Sequence, residues 1–328
     1  MIGRLIAAYR AVLPDLRKPG LLALTVSLNG PTLGLARLIT GGATKVQPGV
    51  VLERGQVPGS RPGTRVPVLI YRPARRLQAS PVVLWVHGGG FVFGTPQADH
   101  ARCSAYAAAV GAVVVSVDYR LAPEAPFPSA LDDVDAALRW VRGSARELEV
   151  DPKRLILAGA SAGAGLVASL AQLARDRGDP APLLQLLIYP MLDNRTTLLR
   201  DHAGRGWFGW TPRSNRFAWS SYLGRAPGAD PPLYAAAARA EDLAGLPPAW
   251  IGVGDIDLFA PEAAAYVARL DAAGVACELV VVEGAYHGFD TVDANAPVSR
   301  RFVAQQHEAM RNAIAIRDER RLTPRQAS

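Results

Sequence analysis

The sequence predicts an α/β fold, with a mostly parallel central sheet of about eight strands flanked by helices and carrying a helical cap. Three observations predict it. Uniformly apolar runs alternate with helix-compatible stretches between residues 81 and 188, the rhythm of βαβ units. An earlier pair of short β-branched runs is separated by Gly59, Ser60, Pro62 and Gly63, as in two antiparallel strands. A segment rich in aromatic and basic residues, 191–246, interrupts the alternation before it resumes.

In chain order, residues 1–48 look helical with interrupting turns and form the first part of the cap. The first portion of the core spans 49–190. VVLERGQVPG and TRVPVLIYRP supply its antiparallel pair, and PVVLWVHGGG is apolar throughout, as a strand covered on both faces should be. A helix over 98–109, the strand AVVVSVDYR, a helix over roughly 128–146 and the strand RLILAGAS follow. After another helix comes PLLQLLIYP, and right-handed crossovers then place helices on both faces. Residues 191–246 form the cap insertion. The second portion of the core, 247–318, contains PPAWIGVGD, a helix over about 261–273, CELVVVEG and a closing helix over about 297–316; residues 319–328 are a tail.

Composition narrows the function classes. At 49% hydrophobic and 20% charged residues the 328-residue chain is globular. Its net charge of +7 is spread over Arg10, Arg37, Arg54, Arg102, Arg213 and Arg300, with no nucleic-acid reader motif, so no nucleic-acid partner is expected. The group Arg317, Arg320, Arg321 and Arg325 reads as a solvated helix end. Cys103 and Cys277 alone make no disulfide framework, which fits a cytoplasmic location. The opening 20 residues lack a signal-peptide pattern, and Asn29, Gly30, Pro31 and Arg37 interrupt the next apolar run, so no stable membrane insertion is expected.

The chemistry begins at Gly159-Ala160-Ser161-Ala162-Gly163, between an apolar strand and a helix. A sharp strand-to-helix turn needs small flanking residues and puts its apex serine within reach of substrate. Such a serine needs a base. Of the five histidines, His287 in EGAYHGF sits just beyond the last strand, on the same sheet edge as Ser161; His307 falls in the final helix, His202 in the cap, and His100 begins a helix. Asp257 and Asp255 both follow AWIGVG in the chain order serine, acid, histidine, and spacing alone does not separate them. The glycines of His87-Gly88-Gly89-Gly90 can aim N–H groups of Gly88 and Gly89 at an oxyanion, joined by that of Ala162. His87 reads as a donor tying down that loop rather than as a base. GGGFVFG fits neither phosphate-loop spacing, and no histidine or cysteine cluster suggests a metal; neither metal nor cofactor is expected. In DYRLAPEAPFP, Asp118 and Arg120 read as part of an ion-pair network bracing the loops, with no catalytic duty for Glu124. Phe91 and Phe93 beside the glycine loop, and Trp207, Phe208, Trp210 and Phe217 in the insertion, are the candidate substrate-pocket residues, several of which would instead fill the cap's own core.

HGGGFVFG, VDYRLAPEAPFP, GASAG, YPMLD, GDID and YHGF, met in this order over residues 50–315, resemble the hormone-sensitive lipase-like branch of the α/β-hydrolases, the bacterial family IV esterases. The resemblance implies hydrolysis of short-to-medium acyl esters by a Ser161, His287, Asp257 triad through an acyl-enzyme. It favours Asp257 because Asp257-Leu258-Phe259 matches the family's DPL-like segment, with Leu258 in place of proline. It also implies a small hydrophobic ester as partner and a homodimer as a common assembly. Two departures stand out: Ala160 replaces the family's Asp or Thr, and Ala164-Gly165 replaces a Gly-Asn pair, removing polar side chains from around the elbow. An amidase or an acyltransferase would use the same triad, and a non-catalytic ligand binder on this scaffold would need none of it.

Overall fold

A computed structural model describes residues 2–22, 27–40, 42, 44–74 and 79–322. Eight strands make one sheet: β1 (Val50–Pro58), β2 (Arg65–Pro73), β3 (Ser80–Val86), β4 (Val113–Val117), β5 (Val150–Ala160), β6 (Leu184–Ile188), β7 (Ala249–Gly254) and β8 (Cys277–Val282). Their order is β1-β2-β4-β3-β5-β6-β7-β8. The pairs β1–β2 and β2–β4 are antiparallel and all the others are parallel. Strands β3 and β4 and the carboxyl half of β5 are buried residue after residue, which is why they read as unbroken apolar runs without alternation.

Between the strands lie α4 (His100–Val110), α5 (Ser129–Gly143), α6 (Ala162–Asp176) and α8 (Ala260–Ala272), with α9 (Phe289–Val292) and α10 (Pro297–Leu322) closing the chain. From β3 the chain crosses to β4 on one side, then returns past β3 to β5 on the other. Two right-handed crossovers running in opposite directions place α4 and α5 on opposite faces. The reversal leaves a crevice beyond the carboxyl ends of β3 and β5, the switch-point position favoured for ligand sites in open α/β sheets. His87 follows β3 there, and Ser161 follows β5.

The cap region comes from two parts of the chain. Helices α1 (Ile2–Ala11), α2 (Pro14–Leu22) and α3 (Gly30–Thr40) precede the sheet, and α7 (Pro212–Leu223) lies in the insertion. The linker between α2 and α3 meets the first turn of α7 where the Leu28 N–H donates to Ser214 Oγ at 2.9 Å. The closing helix α10 runs six residues beyond the expected end at 316, to Leu322, so the expected tail from 319 begins as helix. Arg325 lies outside the described residues. Among the described residues no helix is long and apolar enough to cross a membrane.

Candidate active site

Ser161 occupies the turn between β5 and α6 with φ 55° and ψ −120°, a conformation that costs a non-glycine residue on the order of 1–3 kcal/mol. The close approach explains the glycines around it. A Cβ on Gly163 would run into the carbonyl oxygens of Val86 and His87, so α6 could not seat against the end of β3. The Ser161 N–H donates to the Ile188 carbonyl at 2.8 Å and fixes the turn against β6.

His287 arrives on the loop after β8. Its Nε2 stands 2.9 Å from Ser161 Oγ, and its Nδ1 stands 2.7 Å from Asp257 Oδ2. A carboxylate accepts, which assigns the hydrogen to Nδ1 and leaves Nε2 free to accept from the serine hydroxyl. Asp257 is fully buried, and its Oδ1 accepts the Phe259 N–H at 2.9 Å. Asp255 points elsewhere: its Oδ1 accepts the Gly284 N–H at 2.7 Å. Geometry thus separates the two acids that spacing leaves equivalent. Tyr189, with φ 34°, sets its ring edge-on to the imidazole at 4.7 Å, and Phe259 does the same at 5.1 Å. His287 is therefore confined on two sides by aromatic rings as well as by its hydrogen bonds.

Beyond β3, a Cβ on Gly88 would lie 3.3 Å from Ser161 Cβ, so the loop abuts the serine. Gly89 has φ +117° and its carbonyl accepts from both Val92 and Phe93 at 3.0 Å. Among the described residues the N–H groups of Gly88, Gly89 and Ala162 have no backbone acceptor. Burial pushes the His87 imidazole below its ordinary range, its Nδ1 lies 2.8 Å from the Gly88 carbonyl, and its ring stacks on Tyr119 at 4.3 Å. It is a neutral prop for the loop.

A cavity of about 280 Å³ contains Ser161 and His287. Of the six aromatic residues expected to line the substrate pocket, Phe93 and Trp210 line this cavity. The other four do not. Phe91 is stacked on Tyr222 at 3.9 Å, Phe208 packs against Tyr286, and Phe217 is packed on the core. Trp207 lines a separate cavity of about 980 Å³ between α1 and the insertion, which holds none of Ser161, Asp257 and His287. The physical reason is that the interior between cap and core must itself be filled, and Phe91 and Phe208, each 2% exposed, are packed into it. Among the described residues no group of three His, Cys, Asp or Glu side chains is placed to hold a metal ion.

The ion-pair reading of DYRLAPEAPFP needs correction in its partners. Arg120 binds Asp133 of α5 rather than Asp118, through Nη2 and Nε at 2.8 Å. Glu124 receives two 2.7 Å bonds from Arg37 of α3, which hold its carboxyl down to about 2. The same guanidinium donates to the Val92 carbonyl at 2.8 Å and to that of Ala122 at 3.0 Å. Arg37 thus joins the amino-terminal cap to the glycine loop, a role with no local signal because its partners lie 55 to 87 residues away. Gly209, in the insertion, is a second position that the sequence hides. A Cβ there would strike the His287 carbonyl, so the cap rests directly on the histidine loop.

A family model described as alpha/beta hydrolase fold matches residues 83–291. Carboxylesterase NlhH of Mycobacterium tuberculosis is 38% identical over 260 residues, covering 76% of this chain and 79% of that protein. An ethyl acetate hydrolase of Pseudomonas putida is 34% identical over 239 residues, 70% of this chain and 73% of its own. Among solved structures, a bacterial heroin esterase superposes with a TM-score of 0.85 at 33% identity, covering 93% of this chain and 99% of that one.

Proposed function

The chain belongs to the alpha/beta-hydrolase family as a serine-type carboxylic ester hydrolase resembling the family IV esterases, and from that premise we propose that Ser161, His287 and Asp257 carry its acyl transfer. The single observation supporting this most is the continuous relay from Asp257 Oδ2 through the imidazole to Ser161 Oγ, at 2.7 and 2.9 Å.

His287 Nε2 takes the hydroxyl proton as Oγ attacks the ester carbonyl carbon. The oxyanion so formed is met by the N–H groups of Gly88, Gly89 and Ala162. One such donor is worth on the order of 2.7–4 kcal/mol in the transition state. As the tetrahedral species collapses, the carbon–oxygen bond to the alcohol breaks and His287 returns its proton to the departing oxygen. Water then repeats the sequence on the acyl-enzyme and frees the acid. Asp257 accepts from Nδ1 throughout, holding the tautomer and balancing the imidazolium.

Short-to-medium acyl esters are the proposed substrates. A cavity of about 280 Å³ lies just below the usual range for ligand sites, and Phe93 and Trp210 give it an apolar wall. We further propose a homodimer and a cytoplasmic location. In support of the dimer, β8 ends the sheet and Val281 on it is exposed, the kind of edge that a second copy can cover. The test of function compares the wild type with Ser161→Ala on p-nitrophenyl esters and maps the site of fluorophosphonate labelling. Turnover lost in the variant and label found on residue 161 are expected; equal turnover, or label elsewhere, would overturn the assignment. Light scattering and cell fractionation test the other two proposals.

A further inference from the structure

His287 is followed by Gly288, whose φ of +74° turns the chain into α9, a single helical turn of four residues. A turn that short does not hold itself, so side chains must fix it and the histidine ahead of it. Phe289 packs against Phe302 of α10 at 5.0 Å. Asp290 supplies the tether toward the site. Its side chain is wholly buried, its Oδ2 accepts from Arg102 Nη2 of α4 at 2.9 Å, and its Oδ1 accepts from the Tyr189 hydroxyl at 3.1 Å. Arg102 is held in turn: Nη1 donates to Gln306 Oε1 at 3.4 Å, Nη2 also donates to Thr291 Oγ1 at 3.2 Å, and the guanidinium lies 5.6 Å over the Trp85 ring.

Tyr189 connects this cluster to the acyl-transfer relay. It follows Ile188, whose carbonyl accepts the Ser161 N–H, and its ring stands edge-on to the imidazole at 4.7 Å. Its φ of 34° is strained for a residue with a side chain and persists only where the surroundings fix it. The Gly252 carbonyl takes its N–H at 2.6 Å, and Asp290 takes its hydroxyl at the far end. Burial pushes that hydroxyl well above its usual range, so it keeps the hydrogen it gives. A buried ion pair adds little net stability over packed apolar side chains, so stability alone does not account for Arg102 and Asp290 here. A lone carboxylate beyond the Tyr189 ring would draw a proton to the imidazole before substrate arrives. The Arg102 cation cancels that field.

We propose that Asp290, Arg102 and Tyr189 form a charge-neutral clamp that positions His287 for proton transfer with Ser161. The three are positioning residues, acting through the imidazole rather than on substrate, and the proposal rests on the Ser161–His287 reading of the site. The other charged or titratable groups around the imidazole are Asp257 after β7, Asp99 in the turn before α4 and the neutral His87 after β3. The insertion faces it with Gly209 and Trp210, which carry no charge.

The test measures kcat and KM of the full chain for p-nitrophenyl butanoate as functions of pH. Asp290→Asn removes the charge while keeping both hydrogen bonds, because the amide oxygen accepts from Arg102 and the NH2 donates to the Tyr189 oxygen. The uncancelled Arg102 cation then opposes a second cation at the imidazole, so the acid limb of kcat/KM should move down by about one pH unit. Adding Arg102→Gln removes both charges and should bring the limb back to its wild-type position, a rescue that a merely structural role does not produce. Tyr189→Phe keeps the ring and loses its tether, so kcat should fall about tenfold with KM nearly unchanged. Thermal melts establish folding, and Tyr189→Phe decides the matter by itself if the charge variants do not fold. A limb unmoved in folded Asp290→Asn, a shift that the second substitution does not reverse, or an undiminished kcat in Tyr189→Phe would overturn this inference and leave the esterase reading standing. A wild type that turns over no ester would instead place the failure in the esterase reading, and this inference would fall with it.

Discussion

Replacing Asp257 by asparagine changes one oxygen to an amide nitrogen at a site that offers it no acceptable orientation. Asp257 is fully buried and accepts twice, from His287 Nδ1 at 2.7 Å and from the Phe259 N–H at 2.9 Å. If the amide keeps its oxygen toward Phe259, its NH2 faces Nδ1 and moves the imidazole hydrogen to Nε2, where Ser161 finds no base. If it flips, two donors face each other at Phe259. The first orientation is the less costly, so the enzyme should fold with the wrong tautomer. The expected loss in kcat is on the order of 10⁴-fold, the cost of that tautomer error in a Ser-His-Asp triad, or roughly 5.4 kcal/mol of barrier. Asp255→Asn is the control. Asparagine can still accept the Gly284 N–H that Asp255 now takes at 2.7 Å, so only the charge assistance is lost, about 1 kcal/mol of stability with kcat within about tenfold. Steady-state hydrolysis of p-nitrophenyl butanoate, with active sites counted by fluorophosphonate titration and folding checked by thermal melts, reads both. A larger loss in Asp255→Asn than in Asp257→Asn, or more than a tenth of the activity left in folded Asp257→Asn, would refute the assignment of the acid.

Gly89→Ala forces a side chain onto a residue at φ +117° and into the Phe93 carbonyl, so kcat should fall about 10²- to 10³-fold, as for a lost oxyanion donor, measured with the same ester. Arg37→Gln removes the bond to the Val92 carbonyl and the pair with Glu124; kcat should drop several-fold with KM nearly unchanged, and Glu124→Gln should do less because the bonds from Arg37 to Val92 and Ala122 survive it. His307 packs edge-on to Tyr106, and burial, followed by the charges of Arg311 and Arg102, holds it down to about 4. Because its value is depressed in the fold, its contribution to stability is complete above about pH 6.5, the unfolded value, and is lost as the pH falls through 4. Thermal melts between pH 4 and 7 should therefore show a decline for the wild type that is shallower in His307→Gln.

Much of the fold is legible because its signals are local. Strands such as VVLWV and LILAG are buried on both faces, so each announces itself over five residues, and the serine turn shows in the switch from leucine and isoleucine to alanine and glycine. The two acids after β7 are not separable that way. Two residues apart in a tight turn, they point in different directions because the Asp257 N–H closes back onto the Gly254 carbonyl at 3.2 Å while the Asp255 N–H bonds across to Val282 at 3.1 Å. The insertion's aromatic residues fail for a different reason. Composition counts rings, but only backbone geometry says which face the cavity and which, like Phe208, face the cap's interior. Arg37 and Glu124 are invisible to any local pattern, since two exposed charges become a clasp only when α3 is laid over the loop after β4.

The elbow's missing polar side chains raise the question of what holds a strained serine in place when Ala160, Ala164 and Gly165 offer no side-chain hydrogen bonds. The structure answers with backbone. The Ser161 carbonyl accepts from Gly165 and from Met191, both at 3.1 Å, and Gly165 can sit there because the Met191 carbonyl occupies the space where its Cβ would be. The loop after β6 is thus pressed onto the first turn of α6, and it must itself be held. Glu262 of α8 does this: its Oε1 accepts the Leu192 N–H at 2.7 Å and its Oε2 meets the Thr196 hydroxyl. Burial pushes the Glu262 carboxyl well above its usual range, so it can remain neutral and still accept from Leu192 while sharing a hydrogen with Thr196. The serine turn is thus held by a close backbone contact that is itself secured one loop away. That contact tolerates no side chain at 165, which makes Gly165 as much a requirement of this elbow as the glycines at 159 and 163.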